Sequence, residues 1–96
     1  GQIAIDPSSG ELVIDSIENE TSQVMENMKA VLAEANMTFE NVVKTTIFIS
    51  NMNDFLKINK VYGNYFNAGT APARETVEVA NLPKFVHVEI SMIAIK

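Results

Sequence analysis

VHVEISMIAI, residues Val86 to Ile95, is the stretch on which the fold turns. Side chains of a β-strand alternate between the two faces of its sheet. Met92 and Ala94 then share one face, and Ile93 and Ile95 the other. A strand that is apolar on both faces belongs to a sheet that is covered on both. Upstream, ARETVEV (Ala73 to Val79) reads as another strand, joined to the last by ANLPKF, and VVKTTIFI (Val42 to Ile49) as a third, β-branched and aromatic.

Between and before these strands lie helices. Met52, Phe55, Ile58, Asn59, Tyr62 and Phe66 trace one helical face, with Ser50, Asn51 or Asn53 as the cap and NAGTAP as the loop after it. An earlier helix carries Ile17, Thr21, Val24, Met28, Val31, Leu32 and Ala35 on its stripe. Asp15 and Glu18 form its capping pair, Asn36 stops it, and Thr38 to Asn41 make a short turn. Glu18, Glu20, Glu26, Lys29 and Glu34 fall mostly off the stripe and read as a solvated face. GQIAID opens the chain as a strand. DPSSGEL turns it, with Pro7 presetting its φ and Gly10 free to take positive φ, and Leu12 to Ile14 return. The predicted class is α+β, a mixed sheet packed on two helices in the order β-β-α-β-α-β-β. Two helices cover one face of a sheet, so the other face is expected to meet a second copy of the chain.

The 96 residues make one domain. A composition that is 47% hydrophobic and 20% charged is that of a soluble globular protein. The net charge of −5 and the scattered lysines at 29, 44, 57, 60, 84 and 96 argue against nucleic-acid binding. With no cysteine, disulfides, thiolate metal sites and cysteine nucleophiles are excluded. No apolar run reaches membrane-spanning length, and the expected location is the cytoplasm. The chain starts on GQIAID without an initiator Met, which reads as an N-terminally truncated domain.

Arg74, the only arginine, is the leading functional residue. Its planar fork matches a carboxylate bidentately and stays charged at neutral pH. Glu89 is an isolated carboxylate in an apolar strand, costly to bury without partners. If the last two strands pair as an antiparallel hairpin with Val79 opposite Val86, Thr76 faces Glu89 and Arg74 faces Ser91. Arg74, Thr76 and Glu89 then share the face away from the helices. That arrangement suits either a site for a small carboxylic acid or a structural Arg74–Glu89 ion pair. Asn59, an amide on an apolar helix face, needs partners and would tie down a loop backbone. His87 has no second His or Cys to share a metal with and reads as a solvated or interface residue. Tyr62 and Tyr65 read as packing aromatics with wet hydroxyls. No phosphate-binding glycine loop, nucleophile elbow or metal-ligand motif is present.

GQIAIDPSSGEL, QVMENMKAVLAEA, NVVKTTIFISNMNDFLKINKVYGNYF and APARETVEVANLPKFVHVEISMIAI together resemble the RidA family of enamine/imine deaminases, also called the YjgF family. The resemblance covers essentially the whole chain, and PAR followed by VEVANLP and VEI is its specific signature. It implies a chorismate-mutase-like domain and a homotrimer with clefts between subunits. It implies hydrolysis of 2-imino acids and their enamine tautomers, such as 2-aminoacrylate, to 2-oxo acids and ammonia, with no metal or organic cofactor. By the same resemblance Arg74 grips the substrate carboxylate, Glu89 positions or activates water, Thr76 contributes backbone contacts, and Asn59 and Gly1 line the cleft. The chain departs from the pattern in two ways. The family's leading strand pair, its site tyrosine and the serine before Gly1 are missing, and Glu75 stands where a small residue is usual. By the hairpin register Glu75 points away from Arg74. The competing functions are a non-catalytic trimeric sensor of 2-oxo acids, which would use the same clamp, and a protein-interaction or RNA-cleaving role, of which the RNA option sits poorly with the acidic charge.

Overall fold

The structure, a computed structural model, describes residues 1–96. Every strand pairing runs through β1 (Val42–Ile49). Before it comes α1 (Ile17–Glu34), and after it α2 (Phe55–Gly63), β2 (Ala73–Glu78) and β3 (Val88–Ala94). The sheet order is β2-β1-β3, with β2 parallel and β3 antiparallel to β1. This is an α+β domain in which a three-stranded mixed sheet lies on two helices.

The expected hairpin between β2 and β3 does not form, because β1 lies between them. The reason is in the connections. β1, α2 and β2 make a β–α–β unit, whose crossover returns the chain parallel to its first strand. The link from Val79 to His87 is longer than the ~2–5 residues of common hairpin turns. It wraps the end of β1 instead, with Val79 N–H donating to Ile49 O (2.9 Å) and Ser50 N–H to His87 O (3.1 Å). Lys84 and Phe85 take left-handed φ values of 54° and 55° to turn it.

The two opening strands shrink to isolated bridges, Gln2 with Ile90 and Ile5 with Leu12. On the side away from these pairings, the Asn27 amide of α1 donates to Ile3 O (3.1 Å) and Ile5 O (2.8 Å). Gln2 still exchanges both backbone bonds with Ile90 (2.8 and 3.0 Å), so the chain start lies along the outer edge of β3. Gly10 takes φ 74° in the turn between, as its lack of Cβ allows.

The cap of α1 is Ser16, whose Oγ accepts from Asn19 N (3.1 Å), while Asp15 bonds the Asn19 side chain (2.9 Å); the Asp15–Glu18 pair has no part in it. The helix ends as expected at Asn36 (φ 59°), with Met37 N–H donating to Leu32 O and Asn36 N–H to Ala33 O. The turn Phe39–Asn41 and the Asn51-capped turn Met52–Asp54 also stand where the sequence puts them.

The core lies between the helices and one sheet face. Val24, Met25, Met28 and Leu32 of α1, and Ile58 and Tyr62 of α2, pack on Val42, Ile47, Ile49, Val88 and Ile90. Val31 and Ala35 are exposed and Met25 is buried, so the apolar stripe of α1 is rotated from the expected one. On the other sheet face Val77, Ile93 and the half-buried Phe48 face outward, and Ile93 is 61% exposed.

Glu20 corrects the picture of a solvated acidic helix, since it is fully buried. Its Oε2 accepts the N–H groups of His87 (2.7 Å) and Val88 (3.1 Å), and its Oε1 lies 2.7 Å from His87 Nδ1. The carboxylate therefore caps the start of β3, taking donors that β1 does not, and His87 is its partner. A buried carboxylate is tolerated when its lone pairs are filled in this way. Glu20→Ala leaves two backbone donors unpaired and is expected to lower stability by about 1–3 kcal/mol. The measurement is the urea midpoint at unchanged slope; an unmoved midpoint would show that the clamp contributes nothing.

Candidate active site

Phe55, Asn59 and Tyr62 recur on one face of α2, at spacings that bring side chains together. The β–α–β unit lays that face beside β2. Arg74 pairs in register with Thr45, and Thr76 with Ile47. Thr45 and Ile47 are buried beneath the helices, so Arg74 and Thr76 lie on the helix-covered face of the sheet. This reverses the expectation, which followed from the wrong hairpin.

The Arg74 guanidinium donates through Nη1 to Asn59 Oδ1. Its carbon stands 5.2 Å from the ring centre of Tyr62 and 5.7 Å from that of Phe55. Tyr62 in turn donates its hydroxyl to Thr45 Oγ1 (3.0 Å), a buried bond and not a wet one. Burial pushes the Tyr62 phenol above its ordinary value, against the opposing effects of the Thr45 bond and the Arg74 charge, so the hydroxyl stays a donor. Tyr65 bonds Glu26 (2.7 Å) away from Arg74. The only ion pairs in the chain are Lys44–Glu75 and His87–Glu20. Arg74 thus pairs with no carboxylate of its own chain, and the structural Arg74–Glu89 pair does not exist within it.

Around this guanidinium opens a cleft of about 460 Å³, lined by Asn59, Tyr62, Phe66, Ala71, Pro72 and Arg74 among others. Its walls are mostly apolar or amide, and Arg74 is its sole charge. A cleft with a single fixed cation and apolar walls suits a small organic acid. The Thr76 hydroxyl oxygen, on the same sheet face, is buried without a partner. A neighbouring cleft of about 340 Å³ holds Glu40 and no cation.

Glu89 lies elsewhere. Its register partner is Phe48, while its neighbours Val88 and Ile90 point into the core, so Glu89 stands on the open sheet face. Gly1 adjoins it: a Cβ added there would overlap Glu89 Oε2 and come within 2.8 Å of Ser91 Oγ. Glycine is what allows the chain start to lie against this carboxylate. Glu75 points to this face too, as expected, held by Lys44 Nζ (3.3 Å) and Thr46 (3.4 Å).

The candidate residues therefore fall into two separate groups. Arg74, Asn59 and Thr76 gather on the helix side at the outer strand β2. Glu89 and Gly1 gather on the opposite face at β3, with β1 between. Asn59 binds a side chain and not the loop backbone expected of it. Sequence reasoning missed the place of Tyr62 and Phe55 against Arg74. The signal was their shared helical face with Asn59, which acquires meaning only once β2 is laid beside β1. No group of three or more His, Cys, Asp or Glu side chains is placed to hold a metal ion.

Comparison with known proteins agrees with this architecture. The model of the Endoribonuclease L-PSP family matches residues 1–96. A RutC family protein of Synechocystis sp. is 51% identical over 96 residues, which are 99% of this chain and 74% of that protein. The 2-iminobutanoate/2-iminopropanoate deaminase of Mus musculus is 44% identical over 96 residues, 100% of this chain and 70% of that protein. The solved structure of YyfA from Yersinia pestis, a protein of the conserved Rid family, superposes with a TM-score of 0.94 at 50% identity, covering 98% of this chain and 75% of that one. The chain belongs to the Endoribonuclease L-PSP family, the family of the RidA/YjgF proteins that its C-terminal signature resembles.

Proposed function

We propose that this chain hydrolyses reactive 2-imino acids and their enamine tautomers to 2-oxo acids and ammonia, in a homotrimer whose active sites lie between subunits. The observation that carries the reading is the division of the site. A guanidinium free of ion pairs and a carboxylate beside Gly1 stand on opposite faces of one sheet, where no single chain can join them. Two copies can join them, if the open face of one meets the β2 edge of the next. The apolar side chains Val77 and Ile93 on that face favour such packing. The mouse relative that bears the deaminase name supports the chemistry. The location that goes with this reading is the cytoplasm.

The chemistry follows from the half-sites. Arg74 fixes the substrate carboxylate and so orients the imine carbon. Glu89 of a second copy accepts a proton as water adds to that carbon. The proton held by Glu89 passes to the carbinolamine nitrogen, the C–N bond breaks to release ammonia, and the hydroxyl proton moves to Glu89 as the carbonyl forms. A protonated imine and water thus give 2-oxo acid, ammonia and a proton that Glu89 returns to solvent. No electrons are exchanged, so the step needs no redox partner. A ribonuclease role, which the family's name suggests, sits poorly with a net charge of −5 and a lone arginine.

Three outcomes test this reading. Sedimentation at micromolar concentration is expected to give three times the 10.6 kDa chain mass; a monomer at all concentrations would sink the shared site. Glu89→Gln keeps the shape but cannot take a proton, so 2-oxo acid release from freshly generated imine is expected to fall while the trimer persists. Wild-type turnover in that variant, with 2-oxo acid binding intact, would favour a non-catalytic sensor instead. Arg74→Lys keeps the charge and loses the fork, so 2-oxobutanoate binding, followed by calorimetry, is expected to weaken about tenfold or more. Equal binding by Arg74→Ala would place the ligand elsewhere.

A further inference from the structure

We propose that Tyr62, tethered by Thr45, is a positioning residue that holds the Arg74 guanidinium ready for its carboxylate ligand. The inference rests on the clamp reading above and adds to it a device within a single chain. Arg74 sits on an exposed outer strand, and a free arginine stem there has many rotamers to lose on binding. Three neighbours restrict it. Asn59 takes one Nη1 hydrogen, and the rings of Tyr62 and Phe55 stand within cation–π range of the guanidinium carbon.

The support behind those neighbours is unequal. Phe55 is half-buried and forms no aromatic pair, and Asn59 lies at the edge of the cleft. Tyr62 is buried and fixed at both ends. Its hydroxyl bonds Thr45 Oγ1 at 3.0 Å, and Thr45 is itself fully buried. Its ring meets Phe66 at 4.9 Å between centres, and Phe66 meets Phe39 at 5.3 Å. Thr45 is also the register partner of Arg74 on the next strand. Strand, hydroxyl, ring and guanidinium therefore close a small circuit, in which β1 sets the position of β2's arginine twice, once through backbone pairing and once through Tyr62. A guanidinium engaged at one nitrogen and across its ring-facing surface still has donors to offer a carboxylate. Holding it in that posture before the ligand arrives reduces the ordering cost of binding.

Arg74 is the only arginine, so its side-chain Nε–H gives a single NMR signal that reports its surroundings directly. Tyr62→Leu removes the ring. The Arg74 signal is expected to lose its ring-current shift, and 2-oxobutanoate affinity to fall about fivefold or more. Tyr62→Phe and Thr45→Val keep the ring and cut the tether, so a smaller change of the same sign is expected in both readouts. Val24→Ala is the control: it loosens the core at a fully buried position on the other helix and should leave the signal and the affinity unchanged. An unmoved Arg74 signal in Tyr62→Leu, or an affinity loss no greater than that of Val24→Ala at matched thermal stability, overturns the proposal. If wild type itself binds no 2-oxo acid, the clamp reading falls, and the Arg74 signal alone decides whether Tyr62 positions it.

Discussion

The rest of the molecule depends on β1 being the central strand. Both other strands bond to it, and the alternation of its side chains assigns every neighbour to a face. Thr45, Ile47 and Ile49 go to the helices, and with them Arg74, Thr76, Val88 and Ile90. Lys44, Thr46 and Phe48 go to the open side, and with them Glu75, Glu89 and Ser91. A slip of one residue in either pairing would exchange these sets and move the candidate residues to the wrong faces.

The ends of the sheet are secured by side chains where strands cannot reach. Glu20 takes the N–H groups at the start of β3, and Asn27 takes the carbonyls of the opening segment. Both residues sit on α1, so this helix supplies four of the twelve core side chains and also closes the backbone bonding of its neighbours. Such satisfied buried polar groups bring little net stability but penalise alternatives that leave them unpaired.

The contrast between the two charged side chains of the site has a physical basis. Arg74 is held by an amide and two rings, none of which neutralises it, so its charge remains available to a ligand. Glu89 lies in an apolar strand against the chain start, also without a cation from its own chain. Two opposite charges left unpaired by the same fold are what the proposed shared site requires.

The sequence by itself determined the elements. β1 falls at Val42 to Ile49 as read, the helix stops at Asn36, and Arg74, Glu89, Asn59 and Gly1 are legible as site candidates because residue type and family resemblance are local information. The class was legible too, since two amphipathic helices and three β-branched strands leave few arrangements. Which strands are neighbours was decided by tertiary structure alone. Nothing within ARETVEV or VHVEISMIAI states that VVKTTIFI will lie between them; that follows from the crossover through α2 and the length of the Val79–His87 link. The side of the sheet on which Arg74 lies followed from that pairing. So did the burial of Glu20, since a carboxylate on a helix reads as solvated until the backbone donors it must satisfy have been brought to it from the far end of the chain.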